Sequence, residues 1–419
     1  MRLLSYLYRN EMKENGVHVL GILLILIICA CKEHGNPREE TVVIQSRTNL
    51  VWPLGYSPIA QHSGTFINKA DGIEYIYFSE PETKRVLDIL TLDGEVKWHV
   101  PLNALKSLNE KVEGIQVLSP DSIVVVSMYT NHLYCFNSKG EVWKYVDLNP
   151  LLEKLGGGSH ELFAPSFGGH YYKNDTLLFL GTSRKEFKKE PTWEEIDLIR
   201  KSYNYANEAS QFFRFANIFS DNIQIDSGLD GYTAKYLCGA DSMALGAFQY
   251  LFKKGALIRF SEHSSQFHKV DTRTLQVTDT ISAISQHSEV GCEPLSVDFK
   301  NFESGAIVET RETQGCMVQM VHDRYQNLYY LSVKHDVRNR KDLDDVRAGR
   351  GPWSLMVYNS NLELVNEILM PEQTYAPENL LVCKQGLLIS TNRREYETYE
   401  YDKAKYELFE VVLTASTSN

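Results

Sequence analysis

The sequence predicts an all-β protein: a six-bladed β-propeller of four-stranded antiparallel blades. Three observations predict it: strands of alternating apolar residues, tight turns between them, and a spacing of 46 residues between two matching hairpins. These hairpins contain LTLDGEV, from Leu90, and FNSKGEV, from Phe136. Groups of four antiparallel strands that recur every 40–60 residues or so are typical of propeller blades.

The first element along the chain is an apolar run of 15 residues, from Val17 to Cys31. A helix that spans a bilayer needs about 20 residues, whereas the apolar region of a signal peptide has about 7–15. The run ends in Ile28-Cys29-Ala30-Cys31, the pattern of a bacterial lipobox: an apolar residue, two small residues and the cysteine that receives lipid. We therefore expect residues 1–30 to be a lipoprotein signal peptide and Cys31 to be the acylated N-terminus.

The next segment, residues 31–40, is polar and charged, which is typical of a flexible tether. Several acyl chains on one cysteine hold a protein stably at a membrane. Lys32, rather than an aspartate, follows the cysteine, and this favours the outer membrane, on the periplasmic side or exposed at the surface. Residues 41–419 then form a single β-propeller domain.

Six repeating units are predicted within that domain, at residues 60–103, 110–149, 160–228, 238–284, 313–371 and 374–413. The strand TVVIQS, from Thr41, is expected to complete the last blade and close the ring, because an open ring leaves an exposed strand edge. Seven blades are the alternative, if residues 190–240 contain another unit.

The turns of the repeats have recognisable residues. Gly94 and Gly140 are expected to supply the positive φ of a tight hairpin. Asp271, Asn359 and Asp402 are expected to open later hairpins, because their side chains can accept hydrogen bonds from the turn backbone.

Two segments interrupt the strand pattern. Residues 191–205, PTWEEIDLIRKSYNY, predict a short helical insertion in blade three, with Thr192 and Glu195 at capping-box spacing. Residues 335–353 are dense in mixed charge, and their four arginines could bind an anionic sugar or a carboxylate. The aspartates between these arginines favour mutual neutralisation instead. The side chains concerned are Asp336, Arg338, Arg340, Asp342, Asp344, Asp345, Arg347 and Arg350.

Composition and spacing give no sign of a cofactor, a metal or a catalytic centre. The formal charge of −11, without a basic patch, argues against nucleic acid as a partner. No cysteine pair of the mature chain has C-x-x-C spacing. Cys135 and Cys383 are expected to be buried thiols, and the sequence leaves open whether Cys292 and Cys316 form a disulfide. His263 with His268 and His160 with His170 lack the spacing of a helical zinc site. The GGGSHE segment, 156–161, matches neither a phosphate loop nor a nucleophile elbow, which favours a linker between blades.

The lipobox, the tether and six degenerate blades together resemble the TolB-like six-bladed propeller lipoproteins of Bacteroides and related bacteria. HDRYQNLYYL, from His322, is also similar to the Asp-x-x-Gly-x-hydrophobic turn of NHL-type repeats, with Gln326 in place of the glycine. The resemblance implies an envelope location and a binding or scaffolding role, and it implies no catalytic residues.

The sequence therefore predicts a membrane-anchored bacterial lipoprotein whose propeller engages an envelope protein or a glycan without catalysis. The alternative is an envelope enzyme, a glycan lyase or hydrolase, with its site at the mouth of the propeller channel. Fold alone does not decide between these two functions.

Overall fold

A computed structural model describes residues 40–58, 62–81, 84–107, 112–127, 130–155, 159–163, 171–173, 176–184, 210–229, 248–253, 256–261, 265–290, 314–337, 351–393 and 398–415. The chain divides into two compact units. The first comprises Met1–Val43 with Val412–Asn419, and the second is Ile44–Val411. In the first unit the described residues are the start of one strand and the end of another. The second unit contains the propeller.

The described residues form six antiparallel sheets, one for each predicted blade. Blades one to three follow each other along the chain, and a short helix precedes each of blades two and three. Their elements are β2 (Gly64–Ile67), β3 (Glu74–Glu80), β4 (Val86–Thr91), β5 (Val96–Pro101), α1 (Asn103–Ser107), β6 (Val112–Ser119), β7 (Ser122–Ser127), β8 (His132–Phe136), β9 (Val142–Asp147), α2 (Asn149–Glu153), β10 (Ser159–Phe163), β11 (Tyr171–Lys173), β12 (Thr176–Arg184), β13 (Ser210–Ala216) and β14 (Gln224–Leu229).

Blades four and five repeat the same order, and blade six takes its outer strand from the start of the domain. The elements are β15 (Phe248–Lys253), β16 (Ala256–Ser261), β17 (Gln266–Asp271), β18 (Gln276–Ser282), β19 (Cys316–Asp323), β20 (Leu328–Lys334), β21 (Trp353–Tyr358), β22 (Leu364–Met370), β23 (Leu380–Cys383), β24 (Gly386–Ser390), β25 (Lys403–Ala415) and β1 (Glu40–Pro53). Blade three is the exception to four strands, because β10 and β11 both pair with β12.

Burial along each blade explains the sequence pattern. The two middle strands carry near-continuous apolar runs because both of their faces pack against neighbouring blades; in β4 five consecutive residues, Val86–Leu90, are buried. The outermost strands alternate, as in β9, where Trp143 and Tyr145 are exposed between half-buried neighbours. One core cluster joins Leu87 and Ile89 of blade one to Ile123 of blade two.

The innermost strands contact one another in ring order. In the second unit β2 contacts β6, β11 contacts β15, β15 contacts β19, β19 contacts β23, and β23 contacts β2. Blades two and three share a core cluster that includes Cys135 and Phe213, which continues the ring between these two blades. Six blades are therefore confirmed. The seven-blade alternative is wrong, because β13 and β14, within residues 190–240, are the outer strands of blade three.

Ring closure is confirmed in the predicted place and corrects one predicted hairpin. The strand order of blade six is β1-β25-β24-β23, so the strand that contains TVVIQS is its outer strand. Asp402 does not open a hairpin: it immediately precedes β25, and its carbonyl oxygen accepts hydrogen bonds from the N–H groups of Leu54 (2.8 Å) and Gly55 (3.1 Å). Residues 403–415 form one long strand because β1 already occupies the outer position.

The other predicted turns are confirmed. Gly94 and Gly140 have φ of 91° and 78°, and a Cβ on Gly140 would lie 2.1 Å from the carbonyl oxygen of Pro101. The Asp271 carboxylate accepts hydrogen bonds from two turn N–H groups, each at 2.8 Å, and the Asn359 amide oxygen accepts two, at 2.8 and 3.1 Å. Asp323 does the same at the NHL-like turn, at 2.8 and 2.9 Å.

Connections of very different length lie at the two ends of the propeller. At one end, here called the hairpin end, short turns join the first to the second strand of each blade and, in blades one to five, the third to the fourth; the longest spans 217–223. The other end, the loop end, is where the second and outermost strands of each blade finish and where the innermost and third strands begin; residues 283–290 and 335–337 lie there. The antiparallel order of the strands requires this separation.

Several predictions lie outside the described residues: the signal peptide, Cys31, the tether, the helix at 191–205, Cys292 and the arginines between 338 and 350. Cys135, Cys316 and Cys383 are buried, as expected for the first and third of them. Among the described residues, no helix is long and apolar enough to cross a bilayer.

Candidate functional site

The strongest candidate site is at the loop end, where the connection from blade four to blade five meets blade five. It is centred on Glu367, on the outer strand β22. Its Oε1 accepts hydrogen bonds from the hydroxyls of Ser285 (2.6 Å) and Ser354 (2.5 Å), and its Oε2 accepts one from the backbone N–H of Gln286 (2.7 Å). We call Ser285, His335, Ser354 and Glu367 the Glu367 cluster.

The hydrogen-bond directions in this cluster are fixed by chemistry. Ser354 is fully buried on β21 and gives its one proton to Glu367, so its oxygen must accept from Nε2 of His335, 3.1 Å away. His335 therefore has its proton on Nε2 when it is neutral. The ring of His287 stacks beside it, with centroids 6.2 Å apart and an interplanar angle of 27°.

The two titratable groups of the cluster are shifted toward an ionised carboxylate and a neutral imidazole. Burial raises the pKa of Glu367, but hydrogen bonds from Ser285, Ser354 and Gln286 N–H outweigh it and hold this pKa below its ordinary value. Burial lowers the pKa of His335, against the opposing attraction of Glu367. A carboxylate that accepts three hydrogen bonds is a firm attachment point for the segment that donates two of them.

The segment 283–290 is stabilised by an internal turn and by two further contacts with residues that flank the strands of blade five. The Ser285 hydroxyl accepts the N–H groups of His287 and Ser288, both at 3.1 Å. The Ser288 hydroxyl accepts the N–H of Asp336 at 2.7 Å, and a Cβ on Gly315 would lie 2.0 Å from the carbonyl oxygen of Glu289. The backbone of this segment is thus held by blade five before any ligand arrives.

The same segment displays a set of side chains to solvent. Ser285 and Ser288 turn inward, whereas Ile284, Gln286, His287 and Glu289 are exposed. Ile284 is 72 % exposed, the highest value among the large apolar side chains exposed in the described part of the chain. A fixed backbone that presents an apolar, an amide, an imidazole and a carboxylate side chain is suited to recognition, because little conformational entropy is lost on binding.

A carboxylate–imidazole pair lies on blade one. Nδ1 of His99 is 2.6 Å from Oδ1 of Asp88; the histidine side chain is 68 % exposed and that of the aspartate 5 %. Burial, with the negative charge of Asp88, raises the pKa of Tyr56, which donates a hydrogen bond to the Phe78 carbonyl oxygen. The imidazole is thus held by a buried carboxylate while most of its ring faces solvent.

The hairpin end has a carboxylate site of a different kind. Oε1 of Glu74, on β3, accepts hydrogen bonds from Nη2 of Arg324 (2.5 Å) and the hydroxyl of Tyr325 (2.6 Å), and Oε2 accepts one from the N–H of Lys384 (2.6 Å). These donors come from the turns of blades five and six. The Glu74 side chain is 8 % exposed, and it links three blades rather than offering a free group to a ligand.

The histidine candidates from the sequence do not come together as a site. His263 and His170 lie outside the described residues. His268 is buried on β17, where Nδ1 is 2.9 Å from Oγ1 of Thr280, and burial beside the Arg259 cation lowers its pKa to about 4. Within the described ranges, no group of three or more His, Cys, Asp or Glu side chains could hold a metal ion.

The Glu367 cluster is absent from the sequence predictions. Glu367 occupies the sequence LVNEIL, where an acid has the expected polar position of an outer strand, and Ser285 is 82 positions away. The one local sign was the polar run SQHSE, from Ser285, between apolar stretches. Its contact with blade five depends on the ring arrangement, which local sequence does not encode.

Comparison with solved structures supports the fold. A member of the DUF4221 family from Bacteroides vulgatus superposes with a TM-score of 0.66 at 16 % identity, covering 90 % of this chain and 100 % of the other. A protein from Bacteroides fragilis, whose name proposes that it is exported, gives a TM-score of 0.46 at 8 % identity, with coverage of 89 % and 96 %. No family model matches the sequence, and no curated protein matches it. At 16 % identity, the similarity to the Bacteroides vulgatus structure shows a shared fold alone.

Proposed function

We propose that the protein is a non-catalytic binding module of the bacterial envelope, akin to the TolB-like propeller lipoproteins, that is anchored through lipid on Cys31 and engages an envelope glycan or protein with its loop end. The observation that supports binding best is the segment 283–290, held by the Glu367 cluster while it displays Ile284, Gln286 and His287. The observation that supports anchoring is the Ile28–Cys31 lipobox after a 15-residue apolar run.

Anchoring is tested by fractionation and intact-mass analysis of the native protein beside a Cys31→Ala variant. We expect the wild type to co-fractionate with membranes and to begin at an acylated Cys31, and the variant to lose both properties. A wild-type protein that retains residues 1–30, or a variant that fractionates identically, would show that the lipoprotein assignment is wrong.

Binding at the loop end is tested with an array of bacterial envelope glycans, probed with the Cys31→Ala protein. If glycans are the ligands, Gln286→Ala/His287→Ala removes binding. Lys139→Ala, on an exposed turn at the hairpin end, is the matched control and leaves it intact. Equal loss of glycan binding in the double variant and in Lys139→Ala, or full binding by both, would refute the site. If the ligand is a protein, a photo-crosslinking residue is placed in cells at position 286 or at position 139. The yield of crosslinked partner at position 286 is then compared with the yield at position 139.

The enzyme alternative has one supporting observation, the Asp88–His99 pair with its exposed imidazole. Hydrolysis of a glycan by the usual mechanisms requires two carboxyl groups facing one bond, and the pair supplies one buried carboxylate that already binds the imidazole. If His99 were catalytic, His99→Ala would abolish the release of reducing ends from bacterial envelope glycans. We expect no release from the wild type.

A further inference from the structure

The position of the anchor in the fold follows from the direction of β1. In an antiparallel meander, the outermost strand of each blade runs from the hairpin end to the loop end. β1 is the outermost strand of blade six, and residues 54–63 connect it to the innermost strand of blade one, a connection of the loop end. The chain therefore enters the second unit, at Ile44, on the hairpin end.

Contacts along β1 confirm this direction. Its far end is at the loop end, where the N–H groups of Leu54 and Gly55 reach the carbonyl oxygen of Asp402, just before β25 begins. Earlier in β1, the Arg47 guanidinium forms an ion pair with the Glu410 carboxylate, late in β25. The two strands are thus antiparallel, and the chain also leaves the second unit, at Val411, on the hairpin end.

The reach of the preceding chain limits which end can face a membrane. Cys31 is 13 residues before Ile44, so its sulfur lies within about 45 Å of that residue at full extension. β1 already begins at Glu40, so nine residues separate Cys31 from it, and a flexible chain of nine residues has a root-mean-square reach of about 17 Å. From Ile44 to Pro53, β1 covers about 33 Å along the blade. Turning the loop end toward the lipid would require a nearly taut chain along the whole blade.

The chemistry of the hairpin end suits a hydrated lipid surface. Its turns satisfy their own backbone groups, and exposed charges of both signs cover them: Asp71, Asp93, Glu95, Lys97 and Lys139. Apolar side chains are exposed at this end as well, among them Ile73 and Tyr325, so the surface can contact lipid headgroups through both charged and apolar groups.

We propose that the anchored protein stands with its hairpin end toward the bilayer and presents its loop end, with segment 283–290, away from it. The proposal rests on the proposed lipidation of Cys31 and adds an orientation to it. A partner would accordingly be bound on the side of the propeller opposite the membrane, about one blade height from the headgroups.

The orientation is tested with the acylated protein in vesicles of phosphatidylethanolamine and phosphatidylglycerol that contain a nitroxide-labelled headgroup lipid. A fluorescent amino acid replaces either Lys139, at the hairpin end, or Gln286, at the loop end; both side chains are exposed. We expect the nitroxide to quench the fluorophore at position 139 and not the one at position 286. Equal quenching, or stronger quenching at 286, would overturn the orientation.

A lengthened tether provides the matched control. Inserting about 20 Gly and Ser residues between Asn36 and Pro37 raises the root-mean-square reach to about 30 Å, comparable to the length of β1 in the second unit. This should bring the two quenching values together. Flotation of the vesicles separates the two hypotheses. Protein that fails to float with them refutes the anchor and the orientation together, whereas protein that floats with the wrong quenching pattern refutes the orientation alone.

Discussion

The buried histidine of blade four makes stability depend on pH in a way that can be calculated. His268 is 9 % exposed, and burial beside Arg259 lowers its pKa from 6.5 to about 4. An imidazole that is neutral in the fold and protonated in the unfolded chain stabilises the fold fully above pH 6.5. This stabilisation falls with pH from 6.5 and is lost by about pH 4, because the unfolded state binds the additional proton.

The magnitude follows from the two pKa values. Between pH 7 and pH 5 the single group removes about 2 kcal/mol from the free energy of unfolding, and about 3 kcal/mol at the acidic limit. Urea denaturation at both pH values measures it, with His268→Gln as the comparison, since glutamine retains a hydrogen-bonding amide and does not titrate. We expect the wild type to lose about 2 kcal/mol more than the variant over this interval.

The difference between the two pH dependences, rather than either one, tests the reasoning. Other groups, including His335, titrate in both proteins and cancel. Equal losses in the wild type and in His268→Gln would show that the imidazole is not held neutral by burial. A smaller loss in the wild type would reverse the sign and refute the assignment of its protonation state.

Three further predictions concern turns and carboxylates. Gly140→Ala should lower the free energy of unfolding more than Gly72→Ala. Both glycines have positive φ, which costs alanine about 1–3 kcal/mol, but only at Gly140 does the new Cβ meet a carbonyl oxygen. Equal losses of stability in urea would refute the contact. Glu74→Gln should lower the free energy of unfolding by about 2 kcal/mol, whereas Glu363→Gln, at an exposed carboxylate, should lower it by less than about 1 kcal/mol. Equal losses in the same urea assay would refute the link between the three blades. Glu367→Gln should speed hydrogen exchange at the Gln286 N–H while leaving exchange in β3 unchanged, and protection equal to that of the wild type would show that the carboxylate does not hold segment 283–290.

The sequence predicted features that depend on neighbouring residues. Gly94 and Gly140 were recognisable because a tight hairpin needs positive φ within a few residues of two strands. Asp271 and Asn359 were recognisable because their side chains bind the N–H groups two to four positions ahead. Repetition of these local signals at a regular period was sufficient to predict six blades.

Features that join distant positions were not predicted. The error at Asp402 arose because an aspartate before a strand has the local appearance of a hairpin turn, whereas the partner of β25 is β1, more than three hundred residues earlier. Glu74 and Glu367 each looked like solvent-facing acids in strand sequences. Their importance arises from the donors that ring closure brings to them, such as Arg324 and Ser285.

Ring closure and the orientation at the membrane are connected by one topological choice. If the domain began with the innermost strand of blade one, its first residue would lie at the loop end, since innermost strands run from the loop end to the hairpin end. Beginning instead with the outer strand of blade six moves the entry of the chain to the hairpin end. If Cys31 carries lipid, as we propose, a short tether on a chain closed in this way directs the short turns toward the bilayer. The same offset that covers the outer edge of β25 would thereby leave segment 283–290, at the loop end, on the side away from the bilayer, where a partner can reach it.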